Sequence, residues 1–168
     1  VSGDPRADTV DLTPILTPPA DRSVPRRFVA SVPLQRPRSV LGDQLEADAF
    51  RAVWDADEVE LSYAITNRDR TVGAALGGAI ALEWGDMPPR GHAAVNFEGA
   101  AGQSFGAFLT GGIEFDLVGE ANDYVGKGMG GGRIVIRPPD DDAGDPVLAG
   151  NTCLYGATGG DLFMAGAA

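Results

Sequence analysis

A recurring glycine spacing constrains this chain more than any other feature. Gly99, Gly102 and Gly106 stand three and then four residues apart, and Gly119, Asn122 and Gly126 repeat those offsets with asparagine in the middle. Asparagine is, after glycine, the residue best able to hold a positive φ, so the replacement preserves the backbone demand. Asn67, Arg70 and Ala74 keep the offsets in degenerate form, and Gly150, Cys153 and Gly156 come within one residue of them. Between clusters lie short apolar stretches: Ala94 and Phe97, then Ile113, Phe115 and Leu117, then Ile134 and Ile136. A chain built this way stacks short strands at ~4.8 Å, with glycine at corners where no Cβ can face the neighbouring layer.

Gly99 to Gly119 spans 20 residues, whereas Asn67 to Gly99 spans 32 and Gly119 to Gly150 spans 31. Each long interval holds an apparent insertion: a helical stretch at 72–84 and a loop at 138–146 containing Asp140, Asp141 and Asp142. Subtracting them leaves about 20 residues per unit, within the range of solenoid repeats. The expected class is therefore all-β, a parallel β-helix (solenoid) over residues 40–168, with two short helices and an extended N-terminal arm over residues 1–39.

Composition supports that division. Seven of the 12 prolines fall within residues 1–39, and 22 of the 24 glycines lie from Gly73 onward. The arm holds six arginines against four aspartates, while residues 40–168 hold seven basic and twenty acidic side chains. An acidic body repels phosphate backbones and anionic lipid surfaces, so neither a nucleic acid nor a membrane is an expected partner. No apolar run approaches the ~20 residues that span a bilayer, and the N-terminus lacks a basic stretch followed by an apolar one, which reads as cytoplasmic. Cys153 is the only cysteine; a disulfide framework is excluded, and its apolar neighbours Leu154 and Tyr155 favour a buried, inert thiol.

Asp43 is positioned to cap a helix in which Leu45, Ala49, Phe50, Val53 and Trp54 recur at helical spacing, ending near Asp57. From Glu58 the period becomes two, with Val59, Leu61, Tyr63 and Ile65 on one side of a strand and Glu58, Glu60 and Ser62 on the other. A second helix over 72–84 ends where Gly85 can serve as its C-terminal cap.

Several patterns mimic chemistry. Gly126, Gly128 and Gly131 match the dinucleotide fingerprint, which requires a following helix; here Arg133 to Arg137 read as a strand stopped by Pro138 and Pro139. Gly102, Ser104 and Gly106 match the serine-hydrolase elbow, yet the sole histidine, His92, precedes the serine, against the chain order of that fold. His92 has no second histidine or cysteine cluster to complete a metal site. Residues 140–142 read as a solvated acidic loop, and Asn122, Asp123 and Tyr124 as corner residues. No catalytic, cofactor-binding or metal-binding residue is expected. The assigned residues are structural corners: Gly99, Gly102, Gly106, Gly119, Asn122, Gly126, Gly150 and Gly156.

The runs FEGAAGQSFGAF (97–108), GEANDYVGKGMGGGRIV (119–135) and GNTCLYGATGG (150–160), with ITNRDRTVGAAL (65–76) upstream, together resemble the G-x-G-x-G domain of glutamate synthase large subunits. The resemblance covers roughly residues 40–165. It implies a right-handed β-helix that supports the catalytic domains of an enzyme making two glutamates from glutamine and 2-oxoglutarate. It further implies, as partners, an amidotransferase domain that releases ammonia and a barrel that binds FMN and a [3Fe-4S] cluster. The catalytic and cluster cysteines of that family have no counterparts here, so the chain itself is expected to be inactive and to carry no cofactor. Because it stops after the fourth unit, it reads as a fragment, a split gene product or a stand-alone relative of that domain. Two other readings compete: a similar glycine-repeat component of another multi-protein redox enzyme, such as formylmethanofuran dehydrogenase, and a polysaccharide-active β-helix. The latter needs a groove of carboxylates and aromatics, and only 7% of the residues are aromatic.

Overall fold

The computed structural model describes residues 11–18, 20, 21, 23, 27, 39–85, 87, 89–139, 144 and 146–168. The chain divides into two compact units, Val1–Arg36 and Pro37–Ala168. Most of the proline-rich arm and the Asp140 to Asp142 run lie outside the described residues. Within the first unit, a stretch expected to be extended contains one exposed helical turn, α1 (Thr13–Leu16). Pro14 is tolerated there because a first-turn N–H has no intrahelical acceptor to lose. The Asp11 carboxylate accepts the Thr13 N–H at 2.9 Å, and the Thr17 hydroxyl donates to the Thr13 carbonyl at 2.6 Å.

The second unit runs α2 (Val40–Trp54), β1 (Glu58–Ile65), α3 (Ala74–Trp84), β2 (His92–Ala101), β3 (Ile113–Ala121), β4 (Gly130–Arg137) and β5 (Gly159–Met164). Helix α2 starts earlier than Asp43 because Ser39 is the cap: its Oγ accepts the Gly42 N–H at 3.2 Å, leaving Asp43 in the first turn. There a carboxylate complements the helix dipole rather than capping it. Helix α3 ends at Gly85, whose φ of +60° and N–H bond to the Ala81 carbonyl stop it where the sequence places a cap.

The five strands form one all-parallel sheet in the order β1-β2-β3-β4-β5. Strict alternation divides its faces. Ala93, Val95 and Phe97 lie beside Ile113, Phe115 and Leu117, and Phe115 and Leu117 lie beside Ile134 and Ile136. All of these are buried, so Ala93 and Val95 rather than Ala94 accompany Phe97 in the core. Phe97, Phe105 and Phe115 pack with ring centroids 5.0–5.4 Å apart. The other face is polar and half-exposed; Arg133 meets Glu114 at 3.4 Å and Arg137 meets Asp116 at 3.1 Å.

The helices belong to the same core. Leu41, Leu45, Ala49 and Val53 of α2, with Leu76 and Ile80 of α3, join the sheet residues in one hydrophobic cluster. Phe50, Trp54 and Trp84 lock α2 to α3, the two indoles 5.5 Å apart. These contacts overturn the expectation of an all-β, right-handed parallel β-helix with accessory helices: the chain is α/β, a five-stranded parallel sheet with α3 in its first crossover. Residues 72–84, expected to be an insertion in the repeat, carry Leu76 and Ile80 into the hydrophobic core of the second unit. Among the described residues no helix is long and apolar enough to cross a membrane.

Candidate functional site

The connections that follow successive strands pass through turns that hydrogen-bond to one another. Thr71 N–H donates to the Gln103 carbonyl, Ser104 N–H to Asp123 and Tyr124 N–H to Asn151, all at 2.8–2.9 Å. Two residues on, Gly106 N–H donates to Val72, Gly126 N–H to Phe105 and Leu154 N–H to Val125, at 2.7–2.9 Å. After two more, Phe108 N–H donates to Lys127 and Gly128 N–H to Tyr155, at 2.8–2.9 Å. Three rows of equivalent positions result, and every member is left-handed. The first row is Thr71, Ser104, Tyr124 and Thr152 (φ 53–65°); the second is Gly73, Gly106, Gly126 and Leu154 (φ 58–104°); the third is Phe108, Gly128 and Gly156 (φ 57–70°).

The corner residues singled out from sequence fall at different kinds of place. Gly106 and Gly126 sit in the second row and Gly156 in the third. Gly99 and Gly119 are register partners in β2 and β3 with φ of +130° and +143°, and a Cβ on Gly119 would run into the Gly99 carbonyl oxygen. Gly102 needs room rather than a special φ, since a Cβ there would stand 2.7 Å from the carbonyl oxygens of Asn67 and Asp69. The Asn122 side chain donates to Asn67 Oδ1 at 3.1 Å and accepts the Asp123 N–H at 2.7 Å, pinning the bend. Gly150 lies against Asp123, whose Oδ1 accepts the Asn151 N–H at 2.9 Å. The layers therefore align differently from the glycine offsets: Ile65, not Asn67, is opposite Gly99, and Gly150 is beside Asn122 and Asp123 rather than Gly119. Strand pairing sets this register, and it does not require glycine at equivalent positions of every layer.

The G-x-G-x-x-G run is bonded within the stack. The N–H groups of Gly126, Gly128, Gly130 and Gly131 donate to Phe105, Tyr155, Leu109 and Leu109 respectively, and those of Lys127 and Met129 to Tyr124 and Gly126. A phosphate loop presents such donors to its anion at a helix N-terminus; here each N–H from 126 to 131 already has a carbonyl, and strand β4 follows. Ser104 lies in the first row at φ 63°, its N–H committed to Asp123. His92 opens β2 with Nε2 3.7 Å from Glu114. The Cys153 thiol lies 3.5 Å from the Gly150 carbonyl, to which it donates, and burial pushes its pKa up, which suppresses the nucleophilic thiolate. Among the described residues no three His, Cys, Asp or Glu side chains converge to hold a metal ion.

Sequence reasoning missed two features. One is the left-handed conformation of Thr71, Phe108, Tyr124, Thr152 and Leu154, residue types whose identity gives no hint of positive φ. The other is an open groove of about 460 Å³ where β2 and β3 bend, lined by Asn67, Ala101, Glu120, Asn122, Ala149 and Gly150. Its polar lining comprises amides, one carboxylate and backbone, and it contains no paired nucleophile and base.

The family model described as "GXGXG motif" matches residues 42–168. The chain is 46% identical over 152 residues to ferredoxin-dependent glutamate synthase 2 of Synechocystis sp., covering 85% of this chain and 10% of that protein. It is 54% identical over 114 residues to the ferredoxin-dependent glutamate synthase of Pyropia yezoensis (66% and 7%), and 42% identical over 172 residues to the NADH glutamate synthase of Saccharomyces cerevisiae (97% and 8%). It thus spans a tenth or less of the length of these relatives. With the family model matched across the whole sheet, α3 and all but the first two residues of α2, the chain belongs to the GXGXG-motif family, where its relatives are glutamate synthases.

Proposed function

We propose that the chain is a structural, non-catalytic part of a glutamate synthase, working beside the amidotransferase and FMN-barrel portions of that enzyme. The observation that carries the reading is the commitment of the glycine-rich amides at 126–131 to carbonyls of their own turn and of its neighbours. Those amides are the donors that a flavin phosphate would need. A [3Fe-4S] cluster requires several cysteine thiolates, and this chain has Cys153 alone. Among the described residues the 126–131 amides leave a flavin phosphate no free donor in that run, and one cysteine cannot hold the cluster, so we assign both groups to other parts of the enzyme. Ammonia release and the reductive step are assigned there too. The compartment follows the parent enzyme, and the relatives from Oryza sativa and Spinacia oleracea are named chloroplastic.

The test is direct. Purified residues 1–168 are expected to show no glutaminase activity, no glutamate formation from glutamine and 2-oxoglutarate, and no flavin absorbance after incubation with FMN and gel filtration. Stoichiometric FMN retention, or turnover of glutamine, would overturn the reading.

A further inference from the structure

Phe108, Tyr124 and Leu154 hold left-handed backbone, with φ of 57°, 65° and 58°, and all three are substantially exposed. A bulky side chain at positive φ is strained, and strain that persists points to a use. The fold itself does not demand Phe108 or Leu154, whereas the row of Tyr124 holds threonine and serine at its other positions. At the level of Phe108 the adjacent layers have Gly128 and Gly156, and at the level of Leu154 they have Gly126 and Gly106. Glycine would satisfy each turn without strain. Nor does burial reward them: Phe108 is 51% exposed, Leu154 40% and Tyr124 36%.

These side chains form one patch around the 124–128 turn. The Phe108 ring lies across Gly128, where an added Cβ would stand 2.6 Å from it, and Leu154 lies against Gly126, where the same distance is 2.8 Å. The Tyr124 and Tyr155 rings meet edge to face at 6.3 Å, and Lys127 Nζ stands 5.4 Å from the centre of the Tyr124 ring. The glycines thus seat the aromatic and aliphatic groups of neighbouring layers in fixed positions. A preorganised aromatic cluster with one cation has the composition of an interface core.

We infer that the face formed by Phe108, Tyr124, Lys127, Leu154 and Tyr155 is where this module docks against the remainder of a glutamate synthase polypeptide, an apolar protein surface. This rests on the reading given under Proposed function. The occupant follows from length: matched relatives carry this region as 7–10% of their chain, so it is embedded there in a far larger body of protein able to cover an exposed apolar patch.

Hydroxyl-radical footprinting tests it on two samples: isolated residues 1–168, and complete glutamate synthase purified from the source cells by its glutamine-dependent glutamate formation. Expected is at least a five-fold slower oxidation of Phe108, Tyr124 and Tyr155 in the complete enzyme. Equal oxidation in the two samples overturns the docking face while leaving the module assignment standing. Absence of this chain's peptides from the purified enzyme overturns the assignment and the face together. A variant separates docking from folding: Phe108→Gly in the isolated chain is expected to melt no lower than wild type, and in the complete enzyme to restore oxidation of Tyr155. A concentration-dependent dimer of residues 1–168 that Phe108→Gly dissolves would give the face to a second copy and overturn the proposal.

Discussion

Three single substitutions of glycine by alanine separate the demands that this architecture makes on its backbone. Gly78 lies within α3 at ordinary φ with nothing within 4 Å of an added Cβ; Gly156 has φ +70° and equally open space; Gly119 has φ +143° and the Gly99 backbone directly in the way. For Gly78→Ala only helix propensity operates, a gain of about 0.5–1 kcal/mol. Gly156→Ala isolates left-handed strain, about 1–2 kcal/mol, partly offset by the stiffer unfolded chain, for a net loss of about 1 kcal/mol. Gly119→Ala adds to a glycine-only conformation, itself worth about 1–3 kcal/mol, an overpacking penalty of about 1–3 kcal/mol, because the obstructing atoms are neighbouring main chain that no rotamer change can move. The central expectation is a loss of about 4 kcal/mol. Thermal melts followed by circular dichroism should order the three as a small rise in Tm, a fall of about 2–4 °C, and a fall of about 8–16 °C. If Gly119→Ala melts within about 3 °C of Gly156→Ala, the close approach of β2 and β3 at their bend is not what makes glycine necessary, and the room-based account of these corners fails.

Leu45 is fully buried between α2 and the sheet, so Leu45→Ala should cost about 2–5 kcal/mol and lower a single cooperative transition. Loss of helical signal in a separate early step would show α2 to be an appendage. The Tyr63 hydroxyl donates to Asp48 Oδ2 at 2.7 Å, tying β1 to α2, and Tyr63→Phe should cost about 1 kcal/mol in urea unfolding, with no further loss when Asp48→Asn is added. Burial raises the Cys153 thiol above its ordinary value of 9.0. The folded state then holds this proton more tightly than the unfolded state, so the stabilisation is complete below the unfolded thiol pKa and is lost as pH rises through the folded one. Cys153→Ala should flatten the decline of Tm above pH 9.0, and an unchanged alkaline limb would remove Cys153 from its causes.

Local periodicity carried much of the fold into the sequence. Val59, Leu61, Tyr63 and Ile65 alternate as β1 does, and the Leu45, Ala49 and Val53 spacing marks the buried face of α2. What stayed illegible depends on contacts between layers. The offset of Asn67 from Gly99 suggested a register that strand pairing shifts to Ile65, because hydrogen bonds between β1 and β2, not glycine identity, decide which residues face each other. The α/β class was hidden for a related reason. Residues 72–84 look dispensable to a repeat count, yet Leu76 and Ile80 fill core volume beneath the sheet, and a one-dimensional spacing carries no record of volume. The aromatic face was hidden because nothing in the identity of Phe108 or Leu154 announces a left-handed backbone.

The three rows of turns show why glycine spacing is an imperfect code. Serine, threonine, tyrosine, phenylalanine and leucine all occupy left-handed positions in them, so positive φ alone did not select glycine. At Gly128 the selecting partner is the Phe108 ring, 2.6 Å from where a Cβ would be; at Gly126 it is Leu154, at 2.8 Å. A bulky side chain in one layer therefore rests over a glycine of the next, and the two positions should be energetically coupled. Gly128→Ala alone bears both left-handed strain and the collision with Phe108, about 2–5 kcal/mol together. In a Phe108→Gly background the collision is gone and only the strain remains, so the same substitution should cost about 1–2 kcal/mol. A double-mutant cycle by urea unfolding should thus return a coupling of at least about 1 kcal/mol between residues twenty apart in sequence. Additivity within about 0.5 kcal/mol would mean that Phe108 does not rest on Gly128 in solution, and the seating of the aromatic face on its glycines would have to be abandoned.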